Sequence, residues 1–273
     1  MSLPSSPADW ATNDAALARL ALACLDLTEL GDACTAADVA ALCAKAQGHL
    51  PGDTVAAPAL PPVAAVCVWP AFVAQARAAL PDGIRVAAVV NFPSGDEPVD
   101  QVCAQVQQIR DGGGQEVDCV LPHRAWMAGD RDTVRVLLRA VRAASQGLTL
   151  KLILESGAFT DEALLRAACD MALEEGVDFL KTSTGKIAQG ASLGSAEVLL
   201  SAAAAHPARA RLGFKPSGGI RTVGDVRAYA AATQRHLGDA ALVPARFRIG
   251  TSGLWTDIAR VLGQTAADSH ATY

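Results

Sequence analysis

Short apolar runs alternate along this chain with stretches in which Val, Ile and Leu recur every three or four positions. Eight runs have strand length: 22–27 (LACLDL), 63–68 (VAAVCV), 84–91 (IRVAAVVN), 116–121 (EVDCVL), 149–155 (TLKLILE), 178–183 (DFLKTS), 211–216 (RLGFKP) and 246–251 (RFRIGT). Between them, hydroxyl residues stand ahead of acidic first turns at Thr35 with Asp38, Thr160 with Glu162, Ser195 with Glu197 and Thr222 with Asp225, as helix caps do. Pro70 opens a predicted helix over 70–80, because a first-turn proline loses no internal hydrogen bond. Segments 96–111 and 131–145 carry the helical spacing, and Ser252 to Leu262 reads as a last helix with Leu254, Ile258, Val261 and Leu262 toward the core. Strands alternating with helices predict an α/β fold with a parallel sheet, and eight such units close naturally into a single-domain (β/α)8 TIM barrel. An open doubly wound sheet is the alternative, but no GxGxxG turn follows an early strand. A short N-terminal helical extension, a Pro- and Gly-rich loop at 46–62 and a polar tail at about 264–273, expected to be mobile, complete the layout.

Composition narrows the function classes. The chain has 273 residues, 51% of them hydrophobic, which suits one barrel. A net charge of -5 argues against a general nucleic-acid binder, which needs a basic face. No apolar run approaches the ~18–20 residues that span a bilayer, so no membrane partner is expected. Met1 to Asp14 lacks a basic region followed by an apolar stretch, and the seven cysteines stand singly without a CxxC pair. Reduced thiols and the cytoplasm are therefore expected. The five histidines show no ligand spacing, so neither a metal nor another cofactor is expected.

The choice of basic residue says more. Of 23 Lys+Arg only five are lysine, namely Lys45, Lys151, Lys181, Lys186 and Lys215, leaving eighteen arginines. A site that keeps lysine in such a sequence points to an amine that can lose its proton and attack.

Active sites of barrels lie at the C-terminal ends of the strands. Here those ends carry Asp26 and Thr28, Cys67, Asn91, Asp118, Glu155, Lys181 with Ser183, Lys215, and Gly250 with Ser252. Strand alternation puts Phe179, Lys181 and Ser183 on one face, and Gly213 with Lys215 on one face of the next strand. Burial in the barrel mouth lowers the pKa of Lys181, and a second ammonium at Lys215 lowers it further. The plainer reading is a buried lysine paired with a carboxylate. Asp118 is a candidate acid–base group, whereas Glu116, nearer the strand start, is expected to pair structurally. Asp26 could bind a substrate hydroxyl, hold Lys215, or simply finish a strand. Cys67 is expected to be a buried small apolar residue, and His123 could line the mouth without an obvious partner.

Three glycine turns follow the last three strands: Ser183-Thr184-Gly185-Lys186, Ser217-Gly218-Gly219 and Gly250-Thr251-Ser252-Gly253. Glycine lets backbone N–H groups approach anionic oxygens, and this quarter of a barrel often binds phosphate. The bottom-up reading is an amine-using barrel with an anion site.

The segments LDLT (25–28), VCVWP (66–70), VVNFPSG (89–95), EVDCVLPHRAWMAGD (116–130), KLILESG (151–157), DFLKTSTGK (178–186), GFKPSGGIRT (213–222) and RFRIGTSG (246–253) resemble the deoxyribose-phosphate aldolase family. The resemblance implies a metal-independent class I aldolase that cleaves 2-deoxy-D-ribose 5-phosphate to D-glyceraldehyde 3-phosphate and acetaldehyde, reversibly, through a lysine Schiff base. It makes Lys181 the Schiff-base lysine, Lys215 the lysine that tunes it, Asp118 the proton shuttle, and Asp26 and Thr28 a substrate-side pair. Gly185, Lys186, Gly218, Gly219 and Ser252 match phosphate-site positions. Gly253 departs from the pattern, standing where a second serine is expected, though a backbone N–H remains. Some family members with a longer C-terminus end in a tyrosine linked to proton transfer at the enamine carbon, which Tyr273 matches; an incidental terminal aromatic is the alternative. The implied partners are a small sugar phosphate and aldehydes, and a homodimer is a candidate assembly. A transaldolase-like barrel is one competing reading. A non-catalytic sugar-phosphate sensor is another, but it should have lost Lys181, Lys215 or Asp118.

Overall fold

A computed structural model describes residues 9–50 and 58–264. After a 3-10 turn at Asp9–Ala11, the chain runs α1 (Asp14–Ala23), β1 (Leu25–Thr28), α2 (Ala36–Ala46), β2 (Ala65–Val68), α3 (Val73–Ala79), β3 (Arg85–Val90), α4 (Val99–Asp111), β4 (Glu116–Val120), α5 (His123–Met127) and α6 (Arg131–Ala144). It continues β5 (Thr149–Ile153), α7 (Glu162–Glu174), β6 (Phe179–Lys181), α8 (Leu193–Ala205), β7 (Gly213–Lys215), α9 (Val223–Leu237), β8 (Ile249–Thr251) and α10 (Leu254–Val261). Neighbouring strands pair in parallel in the order β7-β6-β5-β4-β3-β2-β1-β8. The ring is completed between β7 and β8 by the bridges Phe214 to Phe247 and Ser217 to Gly250. Closure leaves no long unpaired edge, and the expected (β/α)8 barrel is the observed fold.

Local chemistry sets the element ends. Thr35 and Thr222 form complete capping boxes with Asp38 and Asp225, as the sequence predicts. Elsewhere the starts differ. Asp161, not Thr160, caps α7 because its carboxylate accepts from Ala163 N and Leu164 N. Ser192, not Ser195, caps α8; its hydroxyl accepts the N–H of Ser195, which lies inside the helix. The first strand begins at Leu25 rather than 22, because Asn13 caps a helix that runs through Ala23 and buries Leu17, Ala18, Ala21 and Leu22. Pro70 opens a 3-10 turn, with the α-helix starting at Val73. In α10 it is Trp255 and Ala259, with Leu254 and Ile258, that are buried.

Two apolar layers result. The large one lies between strands and helices, from Val66 and Leu152 to Leu138 and Leu199. The small one is inside the barrel, where Cys67, Ala87, Val89, Val120 and Ile153 fill the half bounded by β2 to β5. The rest of the interior holds buried charged side chains together with the Phe179 ring.

Candidate active site

Register decides which side chains meet inside the barrel. Asp118 pairs with Lys151 across β4 and β5, and Lys181 with Lys215 across β6 and β7. Asp118 becomes the hub. Its Oδ2 accepts from Lys181 Nζ at 2.8 Å and Lys215 Nζ at 2.7 Å, and its Oδ1 accepts from Lys151 Nζ at 2.7 Å. Lys215 Nζ also lies 2.6 Å from Asp26 Oδ2. Arg248 donates to Asp26 Oδ1 at 2.6 Å and to Glu116 Oε1 at 2.8 Å, while Lys151 Nζ is 2.6 Å from Glu116 Oε2. Asp26, Asp118, Lys151 and Lys215 expose no surface. Two glycines make the room: a β-carbon on Gly250 would lie 2.9 Å from Lys215 Cε, and one on Gly213 2.3 Å from the Phe179 ring. Of the roles open to Asp26, holding Lys215 is the one the geometry realises.

Four cations (Lys151, Lys181, Lys215, Arg248) face three carboxylates (Asp26, Glu116, Asp118), so full ionisation would leave one excess positive charge. Lys181 is the group from which that proton most easily goes. Burial disfavours its ammonium, the Lys215 charge adds to the effect, and together they outweigh Asp118 and hold its pKa below the ordinary lysine value. Lys215 shifts the other way. Burial opposes its charge as well, but the carboxylates of Asp118 and Asp26 overcome this and keep it protonated. Lys151 is likewise held up, against burial, by Asp118 and Glu116. Burial alone would raise Asp118, yet Lys151, Lys181 and Lys215 hold its carboxyl well below the usual range. The result is a depressed amine hydrogen-bonded to an ionised carboxylate, which is a nucleophile beside a proton acceptor.

Lys181 is also the cation of this cluster that opens outward. It forms the base of a cavity of about 590 Å³ whose wall includes Thr28, Glu29, Lys186, Arg221 and the three glycine turns. Gly185, Lys186, Gly218, Gly219, Ser252 and Gly253 thus come together around one space. The turns touch backbone to backbone. A β-carbon on Gly218 would lie 3.1 Å from Gly190 Cα and 3.3 Å from Gly185 Cα. Gly185, Gly218 and Gly219 have φ of 78°, 85° and 84°, which glycine alone adopts freely. Among the described residues, the N–H groups of Gly185, Gly218, Gly219 and Ser252 donate to no protein acceptor. Gly253 differs: its N–H is taken by Thr251 Oγ1 at 3.2 Å, so the donor expected to remain there is engaged. Lys186 Nζ reaches across the mouth to Asp32 Oδ1 at 2.8 Å. The Thr28 hydroxyl donates to Asp26 O.

Of the remaining expectations, the one for Cys67 is met and the others resolve differently or lie elsewhere. Cys67 is fully buried, and its thiol is pushed up by burial and by Asp118. His123 sits at the start of α5, buried, with Nδ1 3.4 Å from Leu121 O rather than on the cavity wall. Tyr273 lies outside the described residues. Sequence reasoning missed Lys151, Arg248 and Arg221. The first two sit in apolar surroundings, Lys151 inside β5 in KLIL and Arg248 just before β8 in FRIG, where a charge pointing inward requires a partner; that was the available signal.

The chain matches known proteins in sequence and fold. The model of the DeoC/LacD family aldolases matches residues 20–252. A deoxyribose-phosphate aldolase of Agrobacterium fabrum is 43% identical over 248 residues, covering 90% of this chain and 91% of that one. A Toxoplasma gondii ME49 structure provisionally named for the same activity superposes with a TM-score of 0.79 at 26% identity, covering 92% of this chain and 98% of that one. The deoxyribose phosphate aldolase of Aeropyrum pernix, a tetramer, shares the fold at 24% identity and a TM-score of 0.66, covering 96% of this chain and 92% of that one. With the family model spanning most of its length, the chain belongs to the DeoC/LacD family of aldolases.

Proposed function

We propose that the protein is a class I aldolase that cleaves 2-deoxy-D-ribose 5-phosphate to D-glyceraldehyde 3-phosphate and acetaldehyde, and runs the reverse condensation. The observation that carries this reading is Lys181: an amine held below its ordinary pKa, bonded to Asp118, and facing a cavity lined by unpaired N–H groups.

The neutral Lys181 amine attacks the C1 aldehyde of the open-chain sugar. Protonation of the carbinolamine oxygen and loss of water give a protonated imine. Removal of the C3 hydroxyl proton lets the C2–C3 electron pair move into the iminium, forming the enamine of acetaldehyde and releasing the three-carbon aldehyde. The enamine carbon then takes a proton, and water hydrolyses the imine. Asp118 is suited to relay these protons, directly or through one water. Lys215, anchored by Asp26, keeps a positive charge beside Lys181 and so favours the free amine. The terminal phosphate fits the rim. Gly185, Gly218, Gly219 and Ser252 supply N–H donors, Lys186 and Arg221 supply charge, and Thr28 stands on the substrate side. Tyr273 is a candidate shuttle at the enamine carbon. Among the described residues no helix is long and apolar enough to cross a membrane, and seven free thiols support the cytoplasm. A homodimer is the assembly we propose.

The test is turnover of 2-deoxyribose 5-phosphate with acetaldehyde release measured in the presence and absence of a chelator. Equal turnover in both is expected, because the protonated imine is the electron sink a metal would otherwise supply. Loss of activity on chelation, or no acetaldehyde, would contradict it.

A further inference from the structure

Glu155 has no role in the scheme above, and its setting is costly. It follows β5, between Leu154, whose N–H donates to Lys181 O at 2.9 Å, and Ser156, whose N–H donates to Thr182 O at 2.8 Å. Its backbone is left-handed, at φ 50° and ψ 51°, a conformation unfavourable for a residue with a β-carbon. The side chain is 1% exposed, and among the described residues it forms no ion pair with Lys, Arg or His. A buried carboxylate without a counter-ion needs strong donors.

Both of its oxygens are spent on one residue, Thr184. The Thr184 hydroxyl donates to Oε2 at 2.5 Å, and the Thr184 N–H to Oε1 at 3.3 Å. A hydroxyl has one proton, so giving it to Glu155 leaves its lone pairs for an N–H two residues along the turn. Lys186 N takes that place, donating to Thr184 Oγ1 at 3.0 Å. The relay therefore fixes both ends of the turn whose tip, Gly185, presents an unpaired N–H to the cavity. The neighbouring chain is packed to match: a β-carbon on Gly157 would lie 2.2 Å from Gln189 O, so the strained turn bears directly on the 187–190 segment.

We propose that Glu155 is a positioning residue for phosphate recognition, acting through Thr184 to hold the 184–186 turn with the Gly185 N–H and the Lys186 ammonium toward the anion. The inference rests on the reading of the cavity as a phosphate site. A tie that merely joined β5 to β6 would affect all substrates alike; this one discriminates by phosphate.

The experiment compares kcat and KM for 2-deoxyribose 5-phosphate and for 2-deoxyribose in wild type, Glu155→Gln, Thr184→Val, Thr184→Ser and Lys186→Ala. Thr184→Val breaks the relay from the half-exposed side, in case the buried substitution impairs folding. Glu155→Gln and Thr184→Val are each expected to raise KM for the phosphorylated sugar by about 5- to 20-fold, with a much smaller change for the unphosphorylated one. Thr184→Ser, which keeps the hydroxyl, should restore a KM within about twofold of wild type, and a variant combining Glu155→Gln with Thr184→Val should be no worse than Thr184→Val alone. Equal losses on both sugars, or failure of serine to rescue, would overturn the role of Glu155. A wild type that does not favour the phosphorylated sugar, with Lys186→Ala unchanged, would instead remove the phosphate site and this inference with it.

Discussion

The interior of the barrel and its rim meet at Lys181 but are made of different materials. Below Lys181 the contacts are side chain to side chain, between strands, with no exposed surface at Asp26, Asp118, Lys151 or Lys215. Above it the donors are backbone N–H groups on glycine turns, and the charged side chains are partly exposed; in the pair Lys186–Asp32 the carboxylate is 93% exposed. A buried network has no slack. Removing one partner strands another charge in low dielectric, at a cost of about 3–5 kcal/mol. A solvated pair such as Lys186–Asp32 contributes about 0–1 kcal/mol and exchanges readily with an incoming anion. The interior therefore sets reactivity, and the rim sets what is held above it.

The comparison breaks most sharply at Lys181 itself. Lys181→Arg should retain the fold and lose all measurable turnover, because guanidinium stays protonated at any working pH. Detectable kcat in a steady-state assay would remove Lys181 from the nucleophile's role. Lys215→Met comes next, and the sign of its effect follows from two changes in one direction. It removes a like charge beside Lys181 and leaves Asp118 Oδ2 to Lys181 alone, and both favour the ammonium. The rising limb of kcat/KM against pH, which reports the free amine, should move toward the ordinary lysine value near ~10.4. A limb that stays in place or falls in pH would show that Lys215 does not tune the amine.

Rim substitutions should be milder and sensitive to salt. Lys186→Ala should weaken the phosphorylated sugar more than the unphosphorylated one, and raising ionic strength should narrow the gap, since screening acts on exposed charges. A penalty independent of salt would place Lys186 outside the anion's reach. The smallest effect is at Gly253, where a β-carbon meets nothing within 4 Å. Gly253→Ser should tighten phosphate binding by about 0.5–1.5 kcal/mol, one neutral hydrogen bond, read as a lower Ki for inorganic phosphate. A raised Ki would mean that the added hydroxyl does not reach the anion.

The same division explains what could be read from the sequence. All eight strands were legible from apolar runs, and Lys181, Lys215 and Asp118 from polar residues closing those runs. Boundaries failed where two elements share a composition: the apolar LALA of 20–23 suits a strand or a helix, and the Asn13 cap decides for the helix. The cap of α8 was placed at Ser195, three residues late, because only backbone geometry shows that Ser192 takes that position. Arg248 escaped because its partner Asp26 lies 222 positions away, and Lys151 because nothing in the run KLIL marks Asp118 and Glu116 of the preceding strand as its partners. The engaged N–H of Gly253 escaped because a hydroxyl two residues before it, on Thr251, is invisible as an acceptor until the turn is folded.

The central claim is that, of three lysines around Asp118, Lys181 alone acts as the amine. Incubation with acetaldehyde and borohydride, followed by peptide mass mapping, tests it directly. A reduced two-carbon adduct is expected on Lys181, in the peptide 178–186, and none on Lys151 or Lys215. An adduct on Lys215, or no adduct in a protein that still releases acetaldehyde, would contradict it.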